Sequence, residues 1–495
     1  MHLFGQTLPV TTAVFLLLAL ALAFGFEMVN GFHDTANAVA TVIYTHTLRP
    51  TVAVVWSGIW NLLGVLTSTG SVAFSIVALL PIELVLNVGS GAGFAMVFSL
   101  LISAMIWNLG TWYLGLPASS SHTLIGAIMG VGLANSLMSP GHVFGEGVNW
   151  GKAQEVFSSL LISPVIGFVG AGLLLLLLKA LVKRPELYKP PEGNKPPPLW
   201  IRGLLTLTCT GVSFFHGSND GQKGMGLVVL ILVGILPAQY ALNPATKTED
   251  LRSIMHHSEQ ASLVLDKMAP VPVKGKAATD ELSDYLKVKG ISKNETVAAL
   301  AGLNQQIHND LQGRSGYGDL SVEQRRAFRS TIYLVSSAIG KLIKSKQITD
   351  PTAVRQLSEY AKSLDKETKY IPAWVKVAVA CFLGFGTMIG WKRIVVTVGE
   401  KIGKEHLNYG QGASAELVAM GTIGLADWFG LPVSTTHVLS SGVAGTMFAN
   451  RSGLQANTLR NIVLAWVLTL PVCVLLGASI FSFALFVLFH AFGVR

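Results

Sequence analysis

Charge and cysteine are both scarce in this sequence. Of its 495 residues, 13% are charged, against about a quarter in a soluble domain, which argues against a cytosolic enzyme. The three cysteines, Cys209, Cys381 and Cys473, all fall within apolar runs, so the chain offers neither a disulfide framework nor a zinc motif. The net charge of +9 does not indicate nucleic acid, because no compact basic region carries stacking aromatics and Lys and Arg collect at the ends of apolar runs.

Apolar residues are abundant instead, at 51% of the chain. Many form runs close to the roughly 20 residues that a helix needs to cross a bilayer, for example 94–114, 156–181, 372–390 and 461–488. We therefore predict an all-α polytopic protein that is embedded in a lipid bilayer.

The charged residues are concentrated in one segment. Of the 36 basic and 27 acidic residues, 34 lie between Thr246 and Tyr370, which predicts an apolar body with one hydrophilic insertion. We divide the chain into a first membrane repeat, a basic cytoplasmic linker, the start of a second repeat, the insertion and the remainder of the second repeat, at 1–182, 183–200, 201–240, 241–371 and 372–495.

Two motifs occur twice. Gly-Phe-His-Asp at 31–34 corresponds to Gly-Ser-Asn-Asp at 217–220, and Leu-Pro-Ala-Ser-Ser-Ser-His at 116–122 corresponds to Leu-Pro-Val-Ser-Thr-Thr-His at 431–437. The two spacings, 186 and 315 residues, differ by 129, which is close to the length of the insertion. Without the insertion both pairs share one period, so the chain is predicted to be a duplicated half that is interrupted in its second copy.

The topology follows from the charges that flank the apolar stretches. Each half contains five such stretches, and the basic linker between the halves belongs in the cytoplasm by the positive-inside rule. Five crossings per half make the two repeats inverted and place 241–371 in the periplasm. Inverted repeats with broken helices are the usual architecture of secondary transporters, with the site at the midplane. We expect those breaks at Gly31 and Gly217, and tight hairpins at Pro117 and Pro432.

Few charged side chains lie within apolar stretches: Glu27, Asp34, Asp220 and Glu416, with Asp427 near a boundary, and Lys223 as the basic one. A charge at the centre of a bilayer costs about 2.5–3.5 kcal/mol, so Asp34, Asp220 and Lys223 must face a cavity, one another or an ion. An Asp220–Lys223 ion pair at i, i+3 spacing that only locks two helices is the structural alternative, although it leaves Asp34 unexplained.

Each hairpin motif places a run of hydroxyls directly after its proline. Hydroxyls and unpaired backbone N–H groups at a helix start make an anion site, and their lone pairs also serve small cations. The alternative to a binding site is that these hydroxyls only cap helices, but the presence of two matched runs disfavours it. Four histidines accompany the motifs, and proton relay, substrate contact or plain interhelical bonding are all open for them: His33, His122, His216 and His437. Since adjacent helical residues do not face each other, Ser121-His122 is not a hydrolase pair, and no enzyme activity is predicted.

These motifs closely resemble the inorganic phosphate transporter (PiT) family, in particular its low-affinity bacterial Pit-type branch. The resemblance covers both halves and implies an inverted-repeat phosphate importer of the inner membrane, often a homodimer. It also implies that protons drive the bacterial branch, that phosphate travels as a neutral divalent metal complex, and that arsenate is a mimic. No resident cofactor is expected.

The resemblance also assigns roles to residues. It puts the key acid on Asp34 and the second asparagine of the family pattern on Asn37, whereas His33 and Lys223 depart from the pattern. Sodium-coupled relatives tend to have a glutamate where Asn61 lies, which favours protons here, whereas the corresponding glutamate of the second half is retained as Glu416. Together with the residue chemistry, this predicts phosphate contacts from Ser119, Ser120, Ser121, Thr123, Asn219, Lys223, Ser434, Thr435 and Thr436. Cation or proton coupling is assigned to Asp34, Asn37, Asp220, Glu416, His33, His122, His216 and His437, with Asp34 and Asp220 as the metal ligands.

Two other functions stay open at this point. A sodium-coupled phosphate or sulfate symporter is the alternative within transport. A channel, or a receptor that works through its periplasmic insertion, is the alternative of another class.

Overall fold

A computed structural model describes residues 1–4, 6–34, 36–80, 85, 90–138, 145, 148–191, 193, 195–269, 271–286 and 292–491. Helices form nearly all of the regular structure in these ranges, next to a small N-terminal hairpin of β1 (His2–Leu3) and β2 (Gln6–Thr7). The all-α class that the apolar runs predict is confirmed.

The first half of the membrane part is built from helices with identifiable start signals. Pro50 begins one of them, where its fixed φ is already helical, and Ser90 caps another by accepting a hydrogen bond from the N–H of Gly93 at 3.1 Å. The helices are α1 (Val10–Asp34), α2 (Ala36–Tyr44), α3 (Pro50–Thr67), α4 (Ser71–Val77), α5 (Gly91–Tyr113), α6 (Ser120–Met138) and α7 (Trp150–Leu181).

The second half follows a linker that contains a short 3-10 helix, Pro185–Tyr188. It begins with α8 (Leu199–Ile235) and α9 (Pro237–Tyr240). The hydrophilic segment forms α10 (Thr248–Met268), α11 (Gly275–Leu286), α12 (Asn294–Leu311), α13 (Val322–Lys344) and α14 (Pro351–Thr368). The membrane part then continues with α15 (Ala373–Met388), α16 (Lys392–Glu400), α17 (Tyr409–Trp428), α18 (Thr435–Asn450) and α19 (Ala456–Ala491).

Within the described ranges, six helical spans are long and apolar enough to cross a membrane: Val10–Tyr44, Pro50–Thr67, Gly91–Tyr113, Ser120–Met138, Trp150–Leu181 and Ala456–Leu488. Helices α14 and α15 meet at a bend of 72° and make a seventh if they are counted as one broken span. A polytopic membrane protein is therefore confirmed. The count of five crossings per half and the periplasmic side of 241–371 stay predictions.

The two halves pack against each other reciprocally. The first long helix of each half packs on the second of the other, α1 on α15 and α8 on α3. The same exchange relates the helices that follow the hairpins, since α6 packs on α19 and α18 packs on α7. Such packing is expected of two copies of one unit. Their opposite orientation in the membrane stays a prediction.

Helix breaks at Gly31 and Gly217 are not observed. Helix α8 is continuous through Gly217, and α1 continues past Gly31 to Asp34. Both glycines serve close helix packing instead, since a Cβ at Gly217 would lie 2.1 Å from the carbonyl oxygen of Asn61 and one at Gly31 would lie 2.3 Å from that of Leu383. The prediction mistook a contact requirement for a helix interruption.

The helices of the hydrophilic segment share an apolar core of their own. Leu265, Leu300, Ile332, Leu357 and Leu364 are among its fully buried members. Two polar contacts tie this segment to the membrane part: Arg325 donates to the carbonyl of Ala238, and Lys344 pairs with Glu155 of α7.

Candidate functional site

The two Leu-Pro hairpins have the same backbone conformation. Gly115 and Gly430 precede them with φ of +67° and +66°, which side chains rarely adopt. Leu116 and Leu431 each donate their N–H to the carbonyl five residues earlier, at 2.9 and 2.8 Å, as in a Schellman helix end. The predicted tight hairpins are confirmed.

Each hairpin leads directly into a helix that is capped by the first hydroxyl of the run. Ser119 Oγ accepts from the N–H of His122 at 3.3 Å, and Ser434 Oγ accepts from the N–H of His437 at 3.1 Å. Helix capping, the alternative explanation for the whole hydroxyl run, therefore applies to these two serines. The hydroxyls one or two residues later do not cap the helix.

Both hydroxyl runs converge on Asp34, which is 3% exposed. Ser120 Oγ donates to Asp34 Oδ2 at 2.5 Å, and its backbone N–H lies 3.4 Å from the same oxygen. Thr436 Oγ1 donates to Asp34 Oδ1 at 3.0 Å from the other half of the chain. One carboxylate therefore receives a hydroxyl from each hairpin.

A second cluster on α8 lies against the same serine. Lys223 Nζ is 2.8 Å from Asp220 Oδ2 and donates to Ser120 Oγ at 3.1 Å. His216 Nε2 lies 3.3 Å from Asp220 Oδ2, one helical turn away. The i, i+3 ion pair that the sequence offered as a structural alternative is present, but it is joined to Asp34 through Ser120 and does not stand alone.

Asp34, His216 and Asp220 form a compact set of potential metal ligands. Each offers one ligand atom, these atoms lie within 4.8 Å of one another, and all three side chains are buried. Two carboxylate oxygens and one imidazole nitrogen suit a divalent cation of the first transition row or magnesium. The sequence predicted both aspartates as ligands, and the structure adds His216.

The other predicted histidines lie around this centre. His33 Nδ1 is 3.0 Å from Asp34 Oδ1, and its Nε2 is 3.0 Å from Thr111 Oγ1. His122 and His437, one from each hairpin helix, face each other with ring centroids 4.6 Å apart. His437 also stacks on Trp466 at 4.1 Å. The two halves thus meet at a histidine pair directly behind the capped helix starts.

Several residues that were predicted to contact phosphate instead hold the hairpins in place. Ser121 Oγ donates to the carbonyl of Val433 at 2.8 Å, and Thr123 Oγ1 donates to Asn108 Oδ1 at 2.9 Å. Asn219 Nδ2 donates to the carbonyl of Leu431 at 3.1 Å. Thr435 Oγ1 is buried without a hydrogen-bond partner among the described residues.

Two predicted coupling residues stand apart from this centre. Glu416 is fully buried and accepts hydrogen bonds from Thr41 and Thr208, one from each half. The side chain of Asn37 lies outside the described part of the structure.

Three buried residues join the site although they were not assigned to it. Asn30 Oδ1 lies 2.9 Å from Ser120 Oγ, and Asn61 Oδ1 lies 2.7 Å from His216 Nδ1. Glu27 is fully buried with both carboxylate oxygens unpaired within the described ranges, and it packs against the backbone of Gly224 beside Lys223. The sequence could have indicated Asn30 and Glu27, because they lie one and two helical turns before Asp34 and therefore on the same face of the helix.

Comparison with known proteins decides the family. The profile of the phosphate transporter family matches residues 30–477. The chain belongs to this family. The relatives of this family are transporters rather than enzymes. Together with these relatives, the apolar spans make this chain a multi-pass bacterial membrane protein.

Curated relatives match the chain over nearly its whole length. The low-affinity inorganic phosphate transporter PitA of Escherichia coli K12 is 44% identical over 98% of this chain and 99% of its own. PitB of the same organism is 42% identical over 97% of this chain and 98% of its own. Among solved structures, a sodium-dependent phosphate transporter matches with a TM-score of 0.52 at 19% identity, and covers 96% of this chain and 100% of its own. That likeness supports the fold alone.

Proposed function

We propose that the protein imports inorganic phosphate across the bacterial inner membrane by proton symport. Phosphate would travel as a complex with a divalent metal ion, and arsenate would substitute for it. The observation that carries the proposal is that hydroxyls from two capped helix starts meet at Asp34, which also belongs to the Asp34, His216 and Asp220 group. An anion site and a cation site thus share one side chain.

The charges of the site require a cation to accompany phosphate. Phosphate carries between one and two negative charges near neutral pH, and Asp34 and Asp220 add two more when ionised. Lys223 is the one Lys or Arg that the described contacts place at this centre. A single ammonium does not offset that negative charge in a buried site, so the metal ion and the proton supply the balance.

The geometry suggests how the work is divided. Asp34, His216 and Asp220 hold the metal ion, which leaves positions on it for phosphate oxygens because three protein ligands do not fill the shell of a six-coordinate cation. Ser120, the backbone at the start of α6 and Lys223 then donate to the phosphate. Since Ser120 Oγ now contacts both Asp34 and Lys223, loading requires these contacts to rearrange around the substrate.

We assign binding of the co-transported proton to the four predicted histidines and Glu416. Imidazole gains and loses a proton near physiological pH, and His33 lies directly on Asp34 while His122 and His437 face each other across the two halves. Glu416 connects α2 of the first half with α8 of the second through Thr41 and Thr208. A change of protonation at these positions would alter contacts between the halves, which an alternating-access carrier has to move.

Uptake of labelled phosphate into proteoliposomes tests the proposal, with the pH gradient, sodium and magnesium varied independently. We expect uptake that requires an inward proton gradient and a divalent ion and that is unchanged when sodium is replaced by choline. Uptake that follows sodium and ignores the pH gradient would instead establish the sodium-coupled alternative. Phosphate currents far above carrier turnover would establish a channel.

A further inference from the structure

A small cavity with one apolar and one polar wall lies where the hydrophilic segment meets the membrane part. It has a volume of about 70 Å³. Phe74 of α4 and Gly226, Val229 and Leu230 of α8 contribute to an apolar wall. The opposite wall is polar and comes from α13 and the end of α14: Arg329, Tyr333, Ser337, Thr368 and Lys369.

Two of the polar residues have buried donors without partners. Arg329 is 8% exposed and Thr368 is 1% exposed. Arg329 Nε and Thr368 Oγ1 are both enclosed and have no hydrogen-bond partner among the described residues. Leaving a buried donor unpaired is costly, and more so for a charged group.

The described charged residues that line the cavity are all basic. Arg329 and Lys369 are its charged members, and no carboxylate is among the described lining residues. Lys369 is partly neutralised, since its Nζ lies 2.7 Å from Asp365 Oδ2 outside the cavity. Burial lowers the pKa of Arg329, because the guanidinium has lost water, and its neighbours Tyr333 and Tyr370 offset this effect only in part.

The cavity is large enough for an oxyanion and close to the central site. One water requires roughly 10–15 Å³ of such volume, so 70 Å³ has room for a tetrahedral ion of five heavy atoms. Gly226 follows Lys223 by three residues on the continuous helix α8, a rise of roughly 5 Å along its axis. The residues of α8 that line the cavity thus follow Lys223 by about one to two helical turns.

We propose that this cavity is a second oxyanion site, in which Arg329 and Thr368 hold inorganic phosphate at the mouth of the pathway, before it reaches Lys223. The inference rests on the proposed function, and it adds a binding site on the side of the membrane that carries the hydrophilic segment. A guanidinium and a hydroxyl are the donors that proteins use for phosphate oxygens. The apolar wall strengthens these contacts by excluding water.

The test compares labelled-phosphate uptake by the full-length wild type, Arg329→Gln and Arg326→Gln in proteoliposomes. Arg326 lies on the same helix but is exposed, so its replacement controls for the loss of one positive charge. We expect Arg329→Gln to raise the KM for phosphate roughly tenfold or more with little change in the maximal rate, and Arg326→Gln to match the wild type. Equal KM values in all three proteins would overturn the inference.

Two further arms distinguish phosphate binding from a folding defect and from lipid binding. Thr368→Val removes the unpaired hydroxyl at nearly constant shape, so it replaces Arg329→Gln if that variant does not fold, and a wild-type KM in Thr368→Val overturns the inference as well. Vesicles with and without phosphatidylglycerol test a lipid phosphate as the occupant. If Arg329→Gln alters the lipid dependence and leaves the KM unchanged, the site binds lipid and the inference is wrong. A wild type that takes up no phosphate refutes the proposed function itself.

Discussion

Ser120 connects two acidic clusters that are far apart in the sequence. Its hydroxyl donates to Asp34 at 2.5 Å and accepts from Lys223 at 3.1 Å, and Lys223 in turn pairs with Asp220 at 2.8 Å. The aspartates of the two repeats are thereby joined by one hydroxyl from a hairpin. A substrate that binds here must replace these contacts, so each of them is open to test.

Removal of the Ser120 hydroxyl is expected to weaken phosphate binding more than folding. A hydrogen bond to a charged group contributes about 1.5–3 kcal/mol, so Ser120→Ala should raise the KM for phosphate roughly 10- to 100-fold. Ser121→Ala is the matched control, because Ser121 donates to the carbonyl of Val433 instead. If Ser121→Ala raised the KM as much as Ser120→Ala, the hydroxyl run would act by fixing the hairpin and not by binding phosphate.

Loss of either central carboxylate should abolish uptake. Asp34→Asn and Asp220→Asn remove a charge from a buried ionic cluster, a change that costs about 3–5 kcal/mol when partners are left uncompensated, and we expect uptake to fall at least 100-fold. Asp427→Asn is the control. Asp427 is also hydrogen-bonded, to Ser218 and Gln222, but it lies at the end of α17. Uptake in a strain without other phosphate importers gives the readout, and growth of Asp34→Asn on low phosphate would contradict the assignment.

His216 is expected to set the requirement for metal. His216→Asn removes one of the three potential ligands, and loss of one ligand should raise the magnesium concentration for half-maximal uptake at least tenfold. His256→Asn, an exposed histidine of the insertion, should leave the magnesium titration unchanged. If His216→Asn lowered the maximal rate at every magnesium concentration without a shift of the midpoint, His216 would have a role other than metal binding.

The sequence predicted the main parts of the site but not their partners. Asp34 and Asp220 stood out because a charge inside an apolar run is costly, and the repeated Leu-Pro turns identified both hairpins. Which hydroxyl reaches Asp34 depends on how α6 and α18 pack against the opposite half. A one-dimensional pattern does not contain that packing. Thus Ser120 and Thr436 contact the carboxylate, whereas their neighbours Ser119 and Ser121 cap a helix or bind a backbone carbonyl.

The error at Gly217 has the same origin. Glycine allows both a helix break and a close helix contact, and only the position of α3 shows that the second applies. The hydrophilic segment was delimited by its charges, but the cavity at Arg329 required knowledge of which face of α13 turns towards α8.

Glu416 is expected to serve coupling rather than binding. Glu416→Gln still accepts a hydrogen bond from Thr41 or Thr208, but it does not take up or release a proton in the working pH range. We expect loss of uptake driven by the pH gradient, while phosphate exchange at equal pH on both sides continues at half the wild-type rate or more. Exposed Glu405→Gln is the control. Equal losses in both assays would show that Glu416 acts on structure or binding and not on coupling.

Within the insertion, Glu367 should make local stability depend on pH. Burial raises its pKa above the usual 4.5, and hydrogen bonds from Thr246 and Tyr317 offset only part of this effect. Because the folded state then holds a proton that the unfolded chain has released, stability is greatest below pH 4.5 and falls as the pH rises towards the folded pKa. Hydrogen exchange of peptides from α14, corrected for intrinsic rates, should therefore show protection in the full-length protein that declines across this window. Glu367→Gln should flatten the decline, since the amide that replaces the buried carboxyl has no charge to bury. Exposed Glu359→Gln is the control and should leave the decline unchanged. The same slope in all three proteins would show that Glu367 is not the titrating group.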